Sequence, residues 1–362
     1  MNEKLRDIVG QFLTEGTASE IIPLGNGLIN DTYLVKTTEE DKPSYVLQRI
    51  NHAVFTDVEL LQHNIEAVTA HLRRKLAAEG SDDIDRRVLR FVETSSAKTY
   101  YHDGQNYWRM SVFIPGTLTL DEVTPETAFD CGLTFGRFEQ QLTDLQEPLG
   151  ETIPDFHNME LRLRQLKEAV SHDRAGRAAK VSDELRLIEQ HAERMCMAER
   201  LHRQGQLPKR ICHCDTKVNN MLFDQKSKKV LCVIDLDTVM PSYVFSDYGD
   251  FLRTAANSEA EDSPNLEQIA FRWDIFEAFT RGYLTSAASF LTTTERDLLP
   301  FAVELFPMMQ AVRFLADYLN GDTYYKTTFA DHNLVRTRNQ LRYFQHVEAA
   351  QQQMQRLIAS LT

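Results

Sequence analysis

The chain has 362 residues, ordinary glycine and proline content and an apolar fraction of 42%, which describes a globular protein able to bury a sizeable core in two lobes or domains. Its formal net charge of −13 works against a nucleic-acid role, since "HLRRKL" and "IDRR" sit beside acidic residues and no other run offers a phosphate backbone a basic face. The cysteines (Cys131, Cys196, Cys212, Cys214 and Cys232) are odd in number and contain no C-x-x-C pair, so reduced thiols are expected.

The opening segment "MNEKLRDIVGQFLTEG" is charged and amphipathic and lacks a signal-peptide core. No apolar run approaches bilayer length, so no membrane association is expected and the cytoplasm is the expected compartment. "EIIPLGNGLINDTYLVKT" then places a glycine-containing turn between two extended stretches, and "SYVLQRI" reads as a further short strand. In "DVELLQHNIEAVTAHLRRKL", Val58, Leu61, Ile65, Val68 and Leu72 recur in steps of three and four, which predicts an amphipathic helix. "RVLRFVET", "KTYYHDG" and "NYWRMSVFI" read as strands, with a turn at Asp103-Gly104. From "IPGTLTLDEVTP" onward the chain reads mostly as helix, including "PETAFDCGLTFGRFEQQLTDL", "MELRLRQLKEAVSHD" and "SDELRLIEQHAERMCMAERLHRQG". Only "KRICHCD", "NMLFD" and "VLCVIDLD" interrupt, as short strands framing a polar loop. Pro307 and Gly321 punctuate the late helical region, and the Gln-rich "QHVEAAQQQMQRLIASL" is periodic enough for a surface helix. The predicted architecture is α+β, with a small sheet-rich lobe over residues 1–114 and a large helical lobe over 115–362.

The polar loop, "ICHCDTKVNNMLFD", admits two readings besides a solvated turn. As a zinc site it is poor, because Cys212, His213 and Cys214 are consecutive and point to alternate sides of an extended chain. As a phosphoryl-transfer site it is well ordered. Asp215 is followed by Asn220 five residues later and by Asp235 fifteen further on, at the end of the apolar run "VLCVID". Phosphoryl transfer asks for a carboxylate to accept the proton of the attacking hydroxyl, and for a side-chain carbonyl and a second carboxylate to hold Mg2+ on the phosphates. His213, Asp215 and Asn220 follow the H-x-D-x-x-x-x-N order of a kinase catalytic loop, and Asp235 stands where D-F-G would begin. Lys217, two residues after the base, is placed where a cation could meet the γ-phosphate.

Gly25 and Gly27 match the first two glycines of G-x-G-x-x-G, with Asn30 at the third position; such a turn brings backbone N–H groups over phosphates, and no G-K-[ST] follows. Alone the turn is a weak signal and fits an ordinary hairpin better. Its place at the start of a sheet-rich lobe, well before the aspartate loop, adds weight. A kinase lobe also carries a cation on a strand and a glutamate on the next helix. Here Gln48 occupies the lysine position, with Arg49 beside it. Either Gln48 contacts phosphate as a neutral donor or Arg49 supplies the charge, and Glu59 and Glu66 are both candidate partners.

Taken with "GNGLINDTYLV", "VLQRIN", "HCDTKVNNMLF", "VIDLDTVMP", "DYGDFLR", "RFLADYLNGDTYY" and "DHNLVRTR", the chain resembles the aminoglycoside phosphotransferase/choline kinase superfamily, and within it the bacterial N-acetylhexosamine 1-kinases. The likeness runs over nearly the whole chain. It implies a bilobal protein-kinase-like fold with an antiparallel-sheet nucleotide lobe and a helical sugar-binding lobe. It further implies ATP- and Mg2+-dependent phosphorylation of the anomeric hydroxyl of GlcNAc or GalNAc, with Asp215 as base at the sugar and Asn220 and Asp235 on the metal. By the same match Arg313 and Tyr324 hold the sugar. Without it, Arg313 is a snorkelling helix arginine and Tyr324 a half-buried aromatic. Leu28 departs from the pattern, where a histidine is expected after the second glycine, and a lost donor there bears on the choice between hexosamines.

Two rivals stand beside this reading. A kinase for another hydroxyl (aminoglycoside, choline or homoserine) would need an acid- or aromatic-lined pocket for a cationic acceptor, and Arg313 speaks against the cationic ones. The acidic run "EAEDS" reads as loop surface. A non-catalytic nucleotide-binding module would have lost the base or a metal ligand, yet Asp215, Asn220 and Asp235 are all present. The thiol of Cys214, beside the base, raises the hypothesis of oxidation-sensitive activity.

Overall fold

The computed structural model describes residues 3–25 and 30–361. In chain order, helix α1 (Glu3–Val9) precedes strands β1 (Ala18–Pro23), β2 (Asp31–Thr37) and β3 (Tyr45–Ile50), then helix α2 (Val58–Ala78), the single turn α3 (Ile84–Arg87), and β4 (Tyr100–His102), β5 (Tyr107–Val112) and β6 (Thr117–Leu118). Helices α4 (Pro125–Leu142), α5 (Met159–His172), α6 (Ser182–Met195) and α7 (Met197–Arg203) lead to β7 (Arg210–Cys212), β8 (Met221–Asp224), β9 (Val230–Val233) and β10 (Met240–Ser242). Then follow α8 (Phe245–Ala255), α9 (Trp273–Ala287), α10 (Thr293–Asp297), α11 (Leu299–Asn320) and α12 (His332–Leu361). Contacts gather Met1–Thr119, Asp144–Pro154 and Met221–Val239 into one compact unit, and Leu120–Thr143, Asp155–Asn220 and Met240–Thr362 into a second. Composition alone draws one boundary near Pro115, since it does not register that later segments return to the first unit.

The first unit is built on an antiparallel sheet of order β1-β2-β3-β5-β4. Strand alternation puts Val35, Tyr45, Leu47, Trp108 and Met110 on one face, where Leu5, Ile8 and Val9 of α1 cover them together with Phe12. Gln48 and Arg109, directly paired across β3 and β5, therefore share the other face. The turn expected at Asp103-Gly104 is present: Asp103 Oδ1 accepts the N–H groups of Gln105 (2.9 Å) and Asn106 (2.7 Å), and Gly104 has φ +93°. The run 87–94, expected as a strand, is not one. It joins β5 through Val92 N–H to Met110 O (2.8 Å) and Val112 N–H to Arg90 O (2.9 Å), where β4 leaves β5 open, and it accepts the Leu13 N–H on Glu93 O (2.8 Å). Helix α2 starts on Asp57, whose side chain accepts the Leu60 N–H, and buries Leu61, Ile65 and Val68 as its periodicity predicts. A smaller antiparallel sheet, β6-β8-β9, completes the unit.

In the second unit α4 and α9 approach closely through glycines. A Cβ at Gly132 would stand 2.2 Å from Phe279 O, and one at Gly282 2.1 Å from Phe129 O. The expected single helix over 182–205 breaks at Cys196 into α6 and α7. Pro307 does not end a helix: α11 runs through it and stops at Gly321, which caps it with φ +95°. Burial explains the tolerance, because nearly every side chain of α11 is inside the protein. Leu299–Asn320 is long and apolar enough to cross a bilayer, contrary to the sequence expectation, but 89% of its apolar window is buried within the protein.

Candidate active site

Strand β7 pairs with β10 (Met240 opposite Cys212) and delivers the loop 213–220 in the second unit. The loop is fixed from below by Asp247 of α8. Its Oδ2 accepts the His213 N–H (2.8 Å), its Oδ1 the Cys214 N–H (2.7 Å), and its backbone oxygen the Thr216 hydroxyl (2.7 Å). Cys214 takes φ +64°, which turns the chain so that Asp215 leaves the core with its side chain 25% exposed. Lys217 Nζ lies 2.7 Å from Asp215 Oδ1, while Asn220 Nδ2 donates to Asp215 O (2.8 Å) and Oδ2 (3.0 Å). The structure thus brings Asp215, Lys217 and Asn220 together. Burial works to raise the Asp215 carboxyl, but the Lys217 ammonium outweighs it, with help from His213 and Asn220, and holds it below the usual carboxylate range. Lys217 is likewise kept charged, because Asp215 and Asp250 more than offset its burial.

Beneath the loop, Glu139, Cys212 and Asp247 are fully buried with donor atoms within 4.8 Å of one another. Tyr283 donates to Glu139 Oε2 (2.5 Å), and burial followed by the Asp247 charge drives the Glu139 carboxyl well above its ordinary range. Two such carboxyls cannot both ionise cheaply, so the group is read as a proton-sharing support for the loop, and metal need not be invoked. Cys214 is also buried, and burial pushes its thiol well above the ordinary range. A thiol in that state is a poor nucleophile, which removes the basis for an oxidation-sensitive Cys214.

Arg313 of α11 lies in the same unit. Its guanidinium carbon stands 5.2 Å from the Phe156 ring centroid, 5.7 Å from Tyr325 and 6.0 Å from Tyr324, so the structure brings Arg313 and Tyr324 together. It donates to Gln310 Oε1 (3.0 Å), and among the described residues no carboxylate pairs with it. Arg162 adds a second cation, with donors to Phe156 O (2.6 Å) and Gln165 Oε1 (2.9 Å). His157 stacks on Phe156, and its Nδ1 lies 2.9 Å from Ser246 Oγ. Burial, then Arg313 and Arg162, hold His157 well below the ordinary histidine range despite the opposing pull of Asp215. Phe156, His157, Gln310 and Tyr325 escape sequence reading, since nothing local marks them as gathering around Arg313.

The remaining expected residues lie in the first unit. Gly25 takes φ +70°, and no atom among the described residues lies within 4 Å of a Cβ placed there, while Gly27 and Leu28 lie outside the described residues. Asn30 is buried, donating to Asp237 Oδ2 (2.7 Å) and accepting the Asn51 N–H (2.9 Å). Gln48 donates to Thr32 Oγ1 (3.2 Å) and accepts from Arg109 Nε (2.9 Å). Arg49 points to the opposite face and pairs with Asp31 (2.5 Å). The buried cation beside Gln48 is therefore Arg109, and its carboxylate is Asp237. Neither expected glutamate fills that role: Glu59 accepts from Tyr100 (2.7 Å) and Glu66 from Thr99 (2.5 Å). The signals that went unused were an arginine inside the apolar strand "YWRMSV" and the second acid of "IDLD". Asp235 itself is exposed, in the left-handed region (φ 57°, ψ 58°) just past β9.

The donor chemistry suits a hard divalent cation. Within the second unit, the Asn220 amide nitrogen donates to Asp215, which leaves its Oδ1 as an uncharged oxygen of the kind such a cation takes.

Comparison with solved structures finds the amicoumacin kinase hAmiN, in complex with AMP-PNP, Ca2+ and Ami, at TM-score 0.59 and 14% identity over 94% of this chain and 93% of that one. A spectinomycin phosphotransferase with ADP and spectinomycin aligns at TM-score 0.59 and 11% identity, over 96% and 98%. A microcompartment-associated aminopropanol kinase aligns at 0.56 and 16%, over 97% and 98%. At these identities the likeness fixes the fold: a kinase-like α+β architecture with an antiparallel-sheet N-terminal region and a helical C-terminal region. A model of the APH phosphotransferase enzyme family matches residues 20–283, a span that holds the glycine turn, the 213–220 loop and Asp235. The chain thus belongs to the phosphotransferase enzyme family.

Proposed function

We propose that the protein transfers the γ-phosphoryl group of ATP to the anomeric hydroxyl of an N-acetylhexosamine, GlcNAc or GalNAc, and releases the sugar 1-phosphate. In this reading residues 1–114 serve the nucleotide and 115–362 the catalysis and the sugar. Asp215 accepts the hydroxyl proton as the phosphoryl group moves, and Lys217, 2.7 Å from it, supplies positive charge for the γ-phosphate. Asn220 and Asp235 are the residues to hold Mg2+, which when bound neutralises charge on the phosphates. Gly25, Gly27, Asn30 and Gln48 belong to the nucleotide side, with Gln48 acting through Arg109.

The observation that carries the acceptor assignment is the charge around Arg313. An acceptor bearing ammonium groups would meet a guanidinium with which no carboxylate pairs among the described residues, set among three aromatic rings. A neutral sugar instead offers hydroxyl and acetamide oxygens to the guanidinium donors and an apolar ring face to Tyr324.

Phosphorus NMR on protein incubated with MgATP and, separately, GlcNAc, GalNAc, glucose, choline and kanamycin tests the proposal. A sugar 1-phosphate resonance from the acetamido sugars is expected. Transfer to choline or kanamycin would keep a kinase and discard the hexosamine reading, and ATP binding without any transfer would favour a regulatory module. Asp215→Asn is expected to keep the fold and ATP binding while lowering kcat by about 10²–10⁴. Arg313→Ala is expected to raise the sugar KM far more than the ATP KM; equal effects would assign Arg313 a structural role.

A further inference from the structure

The segment between α11 and α12 is neither helix nor strand, yet one carboxylate organises it. Asp317, in the last turns of α11 and only 5% exposed, accepts the Thr323 N–H (2.9 Å) and the Tyr324 N–H (2.8 Å) on Oδ1, and the Tyr325 N–H (3.0 Å) on Oδ2. Asn333 Nδ2 adds a further bond to Oδ2 (2.9 Å) and reaches Asp322 Oδ1 (2.9 Å). Successive backbone N–H groups converging on one anion form a nest. The left-handed conformations of Gly321 (φ +95°) and Asp322 (φ +60°) turn the chain so that those groups point inward.

What the nest holds in place is the pair of tyrosines beside Arg313. The Tyr325 hydroxyl accepts from Gln310 Nε2 (3.2 Å), and Gln310 Oε1 accepts from Arg313 (3.0 Å). The Tyr324 ring is 60% exposed and stands edge-on to Tyr325 at 4.8 Å. Among the described residues no side-chain hydrogen bond holds Tyr324, so its placement depends on its own main chain.

We propose that Asp317 is the positioning residue of the acceptor site: it sets the Tyr324–Tyr325 turn against Arg313, and through Tyr325 and Gln310 it orients the guanidinium. The inference rests on Arg313 and Tyr324 being acceptor residues. Asp317 touches no reacting atom. Its negative charge and its two acceptor oxygens are what the turn needs, because an amide in the same place would aim N–H groups at N–H groups.

Asp317→Asn is therefore expected to raise the acceptor KM about tenfold or more, with the ATP KM and the kcat at saturating acceptor changed by less than about threefold. Amide exchange across 322–326 is expected to speed up in the same variant, since the protected N–H groups there belong to no ladder. A folded Asp317→Asn protein with unchanged acceptor KM would overturn the proposal, as would equal changes in both KM values. Should that variant not fold, Asn333→Ala, which removes one bond to Asp317 and the bond to Asp322, is expected to move the acceptor KM alone in the same direction, and an unchanged acceptor KM there would overturn it too. Arg313→Ala separates the two levels. If it leaves the acceptor KM unchanged, the acceptor-site reading has failed; if it raises that KM while Asp317→Asn does not, only the positioning role has failed.

Discussion

At the scale of single residues, Cys214 shows how local strain aims the side chain of Asp215. An L-residue at φ +64° is disfavoured by about 1–2 kcal/mol, yet the two bonds from the His213 and Cys214 N–H groups to Asp247 hold it there. Glycine has no such penalty, although it loosens the unfolded chain and gives up the buried thiol. These effects nearly cancel, so Cys214→Gly is expected to keep activity and stay within about 1 kcal/mol of the parent in urea unfolding. Cys214→Val adds β-branching in the left-handed region and is expected to lose about 2 kcal/mol or more, with kcat falling because Asp215 shifts. Equal tolerance of glycine and valine would mean the loop does not need this conformation. The sequence marks Cys214 as the neighbour of Asp215, but a backbone angle leaves no trace in the identity of a cysteine.

At the scale of elements, the order of strands, the α2 stripe and the frame around the 213–220 loop were legible because each depends on local periodicity. The cation of the sheet was not, because it depends on pairing between strands sixty residues apart. Gln48 stands opposite Arg109, and only that register shows that the charge has moved from β3 to β5. The same limit hid Asp237 as its partner and left Glu59 and Glu66 as candidates. Arg109 and Asp237 are each 2% exposed, so removing either charge alone leaves the other buried and unpaired. Arg109→Gln and Asp237→Asn are each expected to cost about 3–5 kcal/mol, whereas the double variant recovers most of that loss. A double-mutant cycle in urea should therefore give a coupling of about 2 kcal/mol or more, while additive losses would show that the two side chains act independently.

At the scale of the whole molecule, a formal net charge of −13 predicts that rising pH works against the compact state, and buried carboxyls held above their ordinary range, Glu304 among them, add to that effect. Glu304 on α11 has no exposed side-chain surface, with Arg194 of α6 2.6 Å away as its counter-ion. Burial pushes the Glu304 carboxyl up to about 7; Arg194 pulls it down, and the Glu348 carboxylate, itself 2.9 Å from His191, pushes it up again. The folded state therefore holds a proton that the unfolded chain, with its ordinary value near 4.5, has released. Between those two values the native state binds more protons, so this contribution falls as pH rises and is gone above about 7. Its size is a few kcal/mol at most, on the order of 1.4 kcal/mol per unit of displacement. Carboxylates held low, such as Asp103 and Asp224, change charge only in far more acid solution and do not enter this window. Tm is accordingly expected to fall between pH 5 and about pH 7.5 in the parent and to fall less in Glu304→Gln, with the variant the more stable of the two at pH 8. The comparison between the two proteins cancels the general charge repulsion, which acts on both alike. Parallel curves would mean that Glu304 ionises as readily in the folded protein as in water, and that the slope belongs to the surface charge alone.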